Sequence, residues 1–115
     1  MKIKVIENEI SLQEVIELAQ EFYGTMIKGV VDIENEILAL GGEYHMDANN
    51  VLIENGSKQP NVWGFNINFE KSGDDWIEYT SLINIRPAQG NRTMELADEN
   101  LRNRIKEIIN KKVKK

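Results

Sequence analysis

The chain has 115 residues, 41% of them hydrophobic, no cysteine and a formal net charge of -5. That length is near the commonest domain size, so we expect one domain, able to fold without a disulfide or a metal. The missing cysteine excludes thiolate catalysis and cysteine-ligated zinc and suits a reducing cytoplasm, while the acidic balance speaks against nonspecific nucleic-acid binding, which needs a clustered positive field. The opening MKIKVIENEI reads as neither a signal nor a transit peptide, and no apolar run approaches the roughly 18 residues of a membrane helix. A soluble, cytoplasmic protein without a membrane partner is the expectation.

Residues 2–6 alternate Lys2, Ile3, Lys4 and Val5, the pattern of a short edge strand. Ser11 then opens a helix over 12–23. It stands three residues before Glu14 in a capping box, Ile10 and Val15 form a staple, and Leu12, Val15, Ile16, Ala19, Phe22 and Tyr23 make the buried stripe. Gly24 is the expected stop. Between Thr25 and Asp47, helical spacing competes with Gly29, Gly41 and Gly42, with Gly24 just before them, and with the β-branched cluster Val30, Val31 and Ile33, so a hairpin bending at Asn35-Glu36 is preferred to a second helix. Asp47 is expected to cap a short helix over 48–55, closed by Gly56, and Ser57 to Pro60 to form a loop.

Trp63 to Arg92 is the stretch that organises the rest. Trp63, Phe65, Ile67 and Phe69 alternate with Gly64, Asn66 and Asn68. After a Ser72-Gly73-Asp74-Asp75 turn, Ile77, Tyr79, Ser81, Ile83 and Ile85 alternate with Glu78, Thr80, Asn84 and Arg86. Side chains alternate across an extended strand, so this reads as a hairpin with one apolar and one polar face, with Trp63 in the core and Trp76 at the polar rim. Asp98 caps a last helix with Leu101, Ile105, Ile108 and Ile109 inward and four lysines crowding its end. The fold class expected is α+β, two-layered: an antiparallel or mixed sheet of about five strands with helices packed on one face, in the order β-α-β-β-α-β-β-α.

Three groups could carry chemistry. On an extended backbone Glu43, His45 and Asp47 project the same way about 6.5 to 7 Å apart, where two carboxylates and an imidazole could act as acid and base or hold a divalent ion. No high-specificity metal motif supports that reading, and the plainer one makes His45 a surface residue and Asp47 a helix cap. In NIRPAQGNR, Arg86 and Arg92 with Asn84, Gln89 and Asn91 could clamp a carboxylate or phosphate, or each arginine could pair with Glu95, Asp98 or Glu99. Asp32 and Glu34 could be a carboxylate pair, although solvated charge beside a turn is the simpler account.

Several of these segments are familiar together. Gly41-Gly42-Glu43 with His45 and Asp47, Gly56-Ser57 with Gln59, Trp63-Gly64, and SLINIRPAQGNR from Ser81 to Arg92 resemble a small prokaryotic family known only as a domain of unknown function. The resemblance covers nearly the whole chain. It implies a helix after the histidine stretch, although Asn49 and Asn50 stand where acidic or aliphatic residues are usual, and it implies no activity, cofactor or catalytic residue. Two functional classes follow from the residues. The first is a noncatalytic interaction module, partnered by itself as a homodimer or by another protein, through the polar sheet face or an exposed strand edge. The second is a small-anion binding or hydrolytic protein using Arg86 and Arg92 with His45 and Asp47. Nucleic acid is the least favoured partner, no cofactor is specified, and no motif decides whether the chain is an enzyme.

Overall fold

The computed structural model describes residues 1–115. The elements are β1 (Ile3–Ile6), β2 (Ile10–Ser11), α1 (Leu12–Ala19), β3 (Met26–Asp32), β4 (Ile37–Gly41), α2 (His45–Glu54), β5 (Val62–Asn68), β6 (Ile77–Glu78), α3 (Glu99–Lys112) and β7 (Val113–Lys114). Five strands form an antiparallel sheet in the order β1-β4-β3-β5-β6, and β2 pairs in parallel with β7 as a separate ribbon. The α+β class and the expected chain order therefore hold, with β2 and β7 added.

Alternation decides which way each long strand faces. Val31 lies opposite Trp63 and Ile27 opposite Ile67, and these residues join Leu38, Leu40 and Phe65 in one core under Val15 and Ala19 of α1 and Ile105, Ile108 and Ile109 of α3. The residues between them face the other way. Val30, Ala39 and Val62 pack against Ala48 and Leu52 of α2, so α1 and α3 share one face of the sheet while α2 covers part of the second.

The capping chemistry operates as the sequence suggests. Ser11 Oγ accepts from the Glu14 N–H at 3.1 Å, and Asp98 Oδ1 accepts from the Asn100 and Leu101 N–H groups at 2.9 and 3.3 Å, each supplying a donor of the first turn with a partner. Helix α1 is shorter than its apolar spacing suggests. After Ala19 the chain closes through the Gly24 N–H onto the Ala19 carbonyl at 2.8 Å, while Gln20 Nε2 donates to the carbonyls of Ile16 and Gly24. Phe22 and Tyr23 are consequently exposed rather than part of the stripe.

The 26–41 stretch is a hairpin, and its bend is built by Asp32. The carboxylate accepts from the backbone N–H of Glu34 and Asn35, from Asn35 Nδ2 and from Ser57 Oγ, which steers the chain through Glu36 at φ 55°. Asp32 is buried while Glu34 is exposed. The idea of a solvated acid pair is thus corrected: one carboxylate is an internal turn anchor, the other a surface charge.

The larger departure follows β6. Only Ile77 and Glu78 pair with β5, and the expected long second strand gives way to tight turns at Leu82–Asn84 and Pro87–Gln89. Parity fails with it: Asn84, assigned to the polar face, is buried and Ile85, assigned to the apolar one, is exposed, while Ser81 is buried as parity requires. Trp76 sits in a turn, outside any strand, and is buried in the main core instead of standing at a rim. The cause lies at Gly64 in β5, where an added Cβ would come within 2.6 Å of Ser81 Cβ. The 79–85 segment packs directly over that bare backbone. Asn84 then replaces the missing strand: its Oδ1 accepts from the Gly64 N–H at 2.8 Å and its Nδ2 donates to the Gly64 carbonyl at 3.0 Å.

Candidate binding cleft

Glu43, His45 and Asp47 do not lie on an extended backbone. Gly41 and Gly42, at φ 115° and 93°, turn the chain out of β4 so that α2 begins at His45, leaving Glu43 before the helix and His45 and Asp47 in its first turn. Asp47 Oδ2 accepts from the N–H groups of Glu43 and Tyr44 at 3.1 and 2.9 Å, the carboxylate half of a capping box. His45 is turned inward, 7% exposed, and its Nε2–H donates to the Phe65 carbonyl at 2.9 Å. Burial pushes its pKa below the usual 6.5; the Phe65 carbonyl and the Asn66 side chain oppose that shift, and the Lys28 ammonium reinforces it. His45 is therefore a neutral core histidine at pH 7, a correction to both sequence readings of it. No three His, Asp or Glu side chains are placed so that they could hold a metal ion, here or elsewhere.

The NIRPAQGNR residues do come together, but most of their polar groups face the protein. Arg86 donates from Nε to the Ile83 carbonyl at 2.9 Å, from one terminal nitrogen to Gln59 O and Gln89 Oε1 at 2.8 and 3.1 Å, and from the other to Val62 O. Its guanidinium also lies 4.0 Å from the centre of the Trp63 ring, and burial lowers its pKa from the usual arginine value. Asn91 Nδ2 donates to the carbonyls of Asn84, Thr93 and Glu95, and its Oδ1 accepts from the Ala97 N–H. Of the five polar side chains of this segment, Gln89 and Arg92 are exposed. Neither the anion clamp nor the pairing of Arg86 with an acid appears, because main-chain carbonyls occupy the guanidinium. Substituting Arg86 by alanine is expected to cost about 2 kcal/mol by stranding those carbonyls, and lysine should not restore it because a single ammonium cannot span the same acceptors. Urea midpoints of the two variants measure this.

An open cleft remains beside this pinned loop. It has a volume of about 550 Å³ and lies over the second face of the sheet, with Tyr44, His45 and Met46 at the start of α2 on one side, Thr80 to Ile83 and Met94 on the other, and Lys28 and Asn66 on its floor. Tyr44, Met46, Leu82 and Met94 are 61%, 49%, 70% and 41% exposed, so apolar surface that the core does not use converges here. Lys28 lies 5.2 and 5.8 Å from the ring centres of Tyr23 and Tyr44, and Tyr23 is held there by its hydroxyl, which donates to the Glu43 carbonyl. Asn66 Oδ1, shut from solvent, has no hydrogen-bond partner.

A larger groove of about 900 Å³ passes Asn66, Glu78, Tyr79 and Arg102. Its charges are mixed and pair locally, Lys71 with Glu78 at 2.9 Å and Lys106 with Asp74 at 3.0 Å. The sequence placed a ligand on the polar sheet face, and Asn66 and Thr80 of that face do line the cleft. It overlooked Lys28, Tyr44, Met46, Leu82 and Met94. Leu82 carried a usable signal, as an apolar residue at a polar position of the alternating segment.

Residues 4–112 match the model of a family described as "Protein of unknown function (DUF5674)". No curated protein and no solved structure matches the chain.

Proposed function

The chain belongs to this DUF5674 family of unknown function, and on that premise we propose that it is a noncatalytic interaction module whose working surface is the cleft between α2 and the Thr80–Ile83 turn. The observation that carries this reading is the convergence of exposed Tyr44, Met46, Leu82 and Met94 on one concavity. Scattered exposed apolar residues are ordinary on any surface, whereas a contiguous rim around a pocket marks a place of binding. The fixed loop supports it further, since a rim already ordered loses less freedom when occupied. The groups suited to acid–base work are committed elsewhere: His45 to Phe65, Asp47 to the start of α2.

What this surface takes is an apolar side chain or ring, carried by a partner or free. Titration with uncharged 3-methylindole, followed by amide NMR, is expected to move residues 44–46, 80–83 and 94, and Leu82→Asp should abolish those shifts with less than about 0.5 kcal/mol change in stability, as for an exposed substitution. Shifts dispersed over the molecule, or none, refute the reading. Sedimentation at rising protein concentration identifies a second copy as the partner if association appears and Leu82→Asp removes it.

A further inference from the structure

We propose that the cleft binds a small amphipathic carboxylic acid, its ring or chain lying between Tyr44, Met46, Leu82 and Met94 and its carboxylate meeting the ammonium of Lys28. This rests on the reading of the cleft as the working surface and adds the chemistry of the occupant. A volume of about 550 Å³ falls within the range of roughly 300 to 1,000 Å³ of small-molecule sites.

Charge selects the head group. The chain carries 19 acidic residues against 14 lysines and arginines, yet no acid lines this cleft and Lys28 is the only charged residue that does. Lys28 takes part in no ion pair. Two tyrosine faces hold the cation in place without neutralising it. His45 beside it is bonded to a backbone carbonyl and contributes no competing anion. One ammonium among apolar walls suits a monoanion. A doubly charged phosphate would leave one charge uncompensated in an environment that solvates it poorly, and Arg86, the side chain whose forked donors fit phosphate, is already occupied by carbonyls.

A matched pair of probes tests the head group. Indole-3-acetate and neutral 3-methylindole are titrated by amide NMR into the wild-type protein and into Lys28→Met, which keeps the length of the stem and removes the charge. Indole-3-acetate is expected to bind the wild type about fivefold more tightly than 3-methylindole, as for a partly exposed ion pair. Lys28→Met should bring the acid to the level of the neutral compound and leave the neutral compound unchanged. Equal affinities in the wild type, or equal weakening of both probes by Lys28→Met, overturn the carboxylate assignment while leaving the cleft as a binding surface. Absence of shifts at residues 44–46, 80–83 and 94 with either probe overturns both.

Discussion

Asn84→Ala is expected to lower the unfolding free energy by about 4 kcal/mol, measured as a shift of the urea midpoint at constant slope. The side chain is fully buried and satisfies both the N–H and the carbonyl of Gly64, with longer donations from Nδ2 to Tyr79 O at 3.5 Å and Met94 O at 3.4 Å. Alanine leaves the Gly64 groups in a dry interior with nothing to meet them. Each orphaned group costs about 1 to 3 kcal/mol, against a total stability of about 5 to 15 kcal/mol for a domain of this kind. Asn84→Asp separates hydrogen bonding from size, because a carboxylate still accepts from the Gly64 N–H but sets its second oxygen against carbonyls. It should be nearly as unstable as alanine at pH 7 and recover as acid protonates it. Asn84→Ala within about 1 kcal/mol of the wild type would mean that Asn84 does not replace a strand.

The second large effect is expected at Asp32. Asp32→Ala should cost about 3 kcal/mol, since it strips the partner from two backbone N–H groups, Asn35 Nδ2 and Ser57 Oγ together. Asp32→Asn keeps the shape but turns an acceptor into a donor facing donors, and should cost about half as much. Burial raises the Asp32 pKa, and the hydrogen bonds from Ser57, Asn35 and Glu34 more than reverse that, so it lies below the usual 3.8. The folded state thus binds this proton more weakly than the unfolded chain. Its contribution is complete above pH 3.8 and is lost as the pH falls through the lower folded value. Wild-type stability should fall over that acid window, and the fall should be shallower in Asp32→Asn. Parallel acid limbs in the two proteins would place the titrating group elsewhere.

What was legible in the sequence was whatever hydrophobic period and capping chemistry encode. Strands β3, β4 and β5 expose alternate residues to different cores, so Trp63, Phe65 and Ile67 were assigned by parity, and Ser11 and Asp98 announced α1 and α3 with their side-chain oxygens. The start of α2 was less readable. Tyr44 occupies the cap position without a cap-type side chain, and the aspartate that serves the turn lies three residues inside it. The stretch after Glu78 misled for a different reason. Ile77, Tyr79, Ser81, Ile83 and Ile85 keep strand spacing, but whether the chain continues as a strand is decided across the fold, by an asparagine amide that takes up the hydrogen bonds a neighbouring strand would make. The same logic hid the role of Arg86: a guanidinium in a glycine-containing loop looks the same in sequence whether it awaits an anion or holds three carbonyls. The cleft was visible only in fragments, because its walls come from β3, α2 and the 80–94 segment.

The parallel ribbon of β2 and β7 has a consequence for how the molecule is made. Ile10 pairs with Val113 and Ser11 with Lys114, and both Ile10 and Val113 belong to the main core. During synthesis the beginning of α1 therefore has no permanent neighbour on that side until almost everything up to Lys114 has emerged. Closure of so distant a contact is entropically slow, so although β3 and β4 can cover the inner side of α1 early, the Ile10 edge receives its β7 partner only once nearly the whole polypeptide has been made.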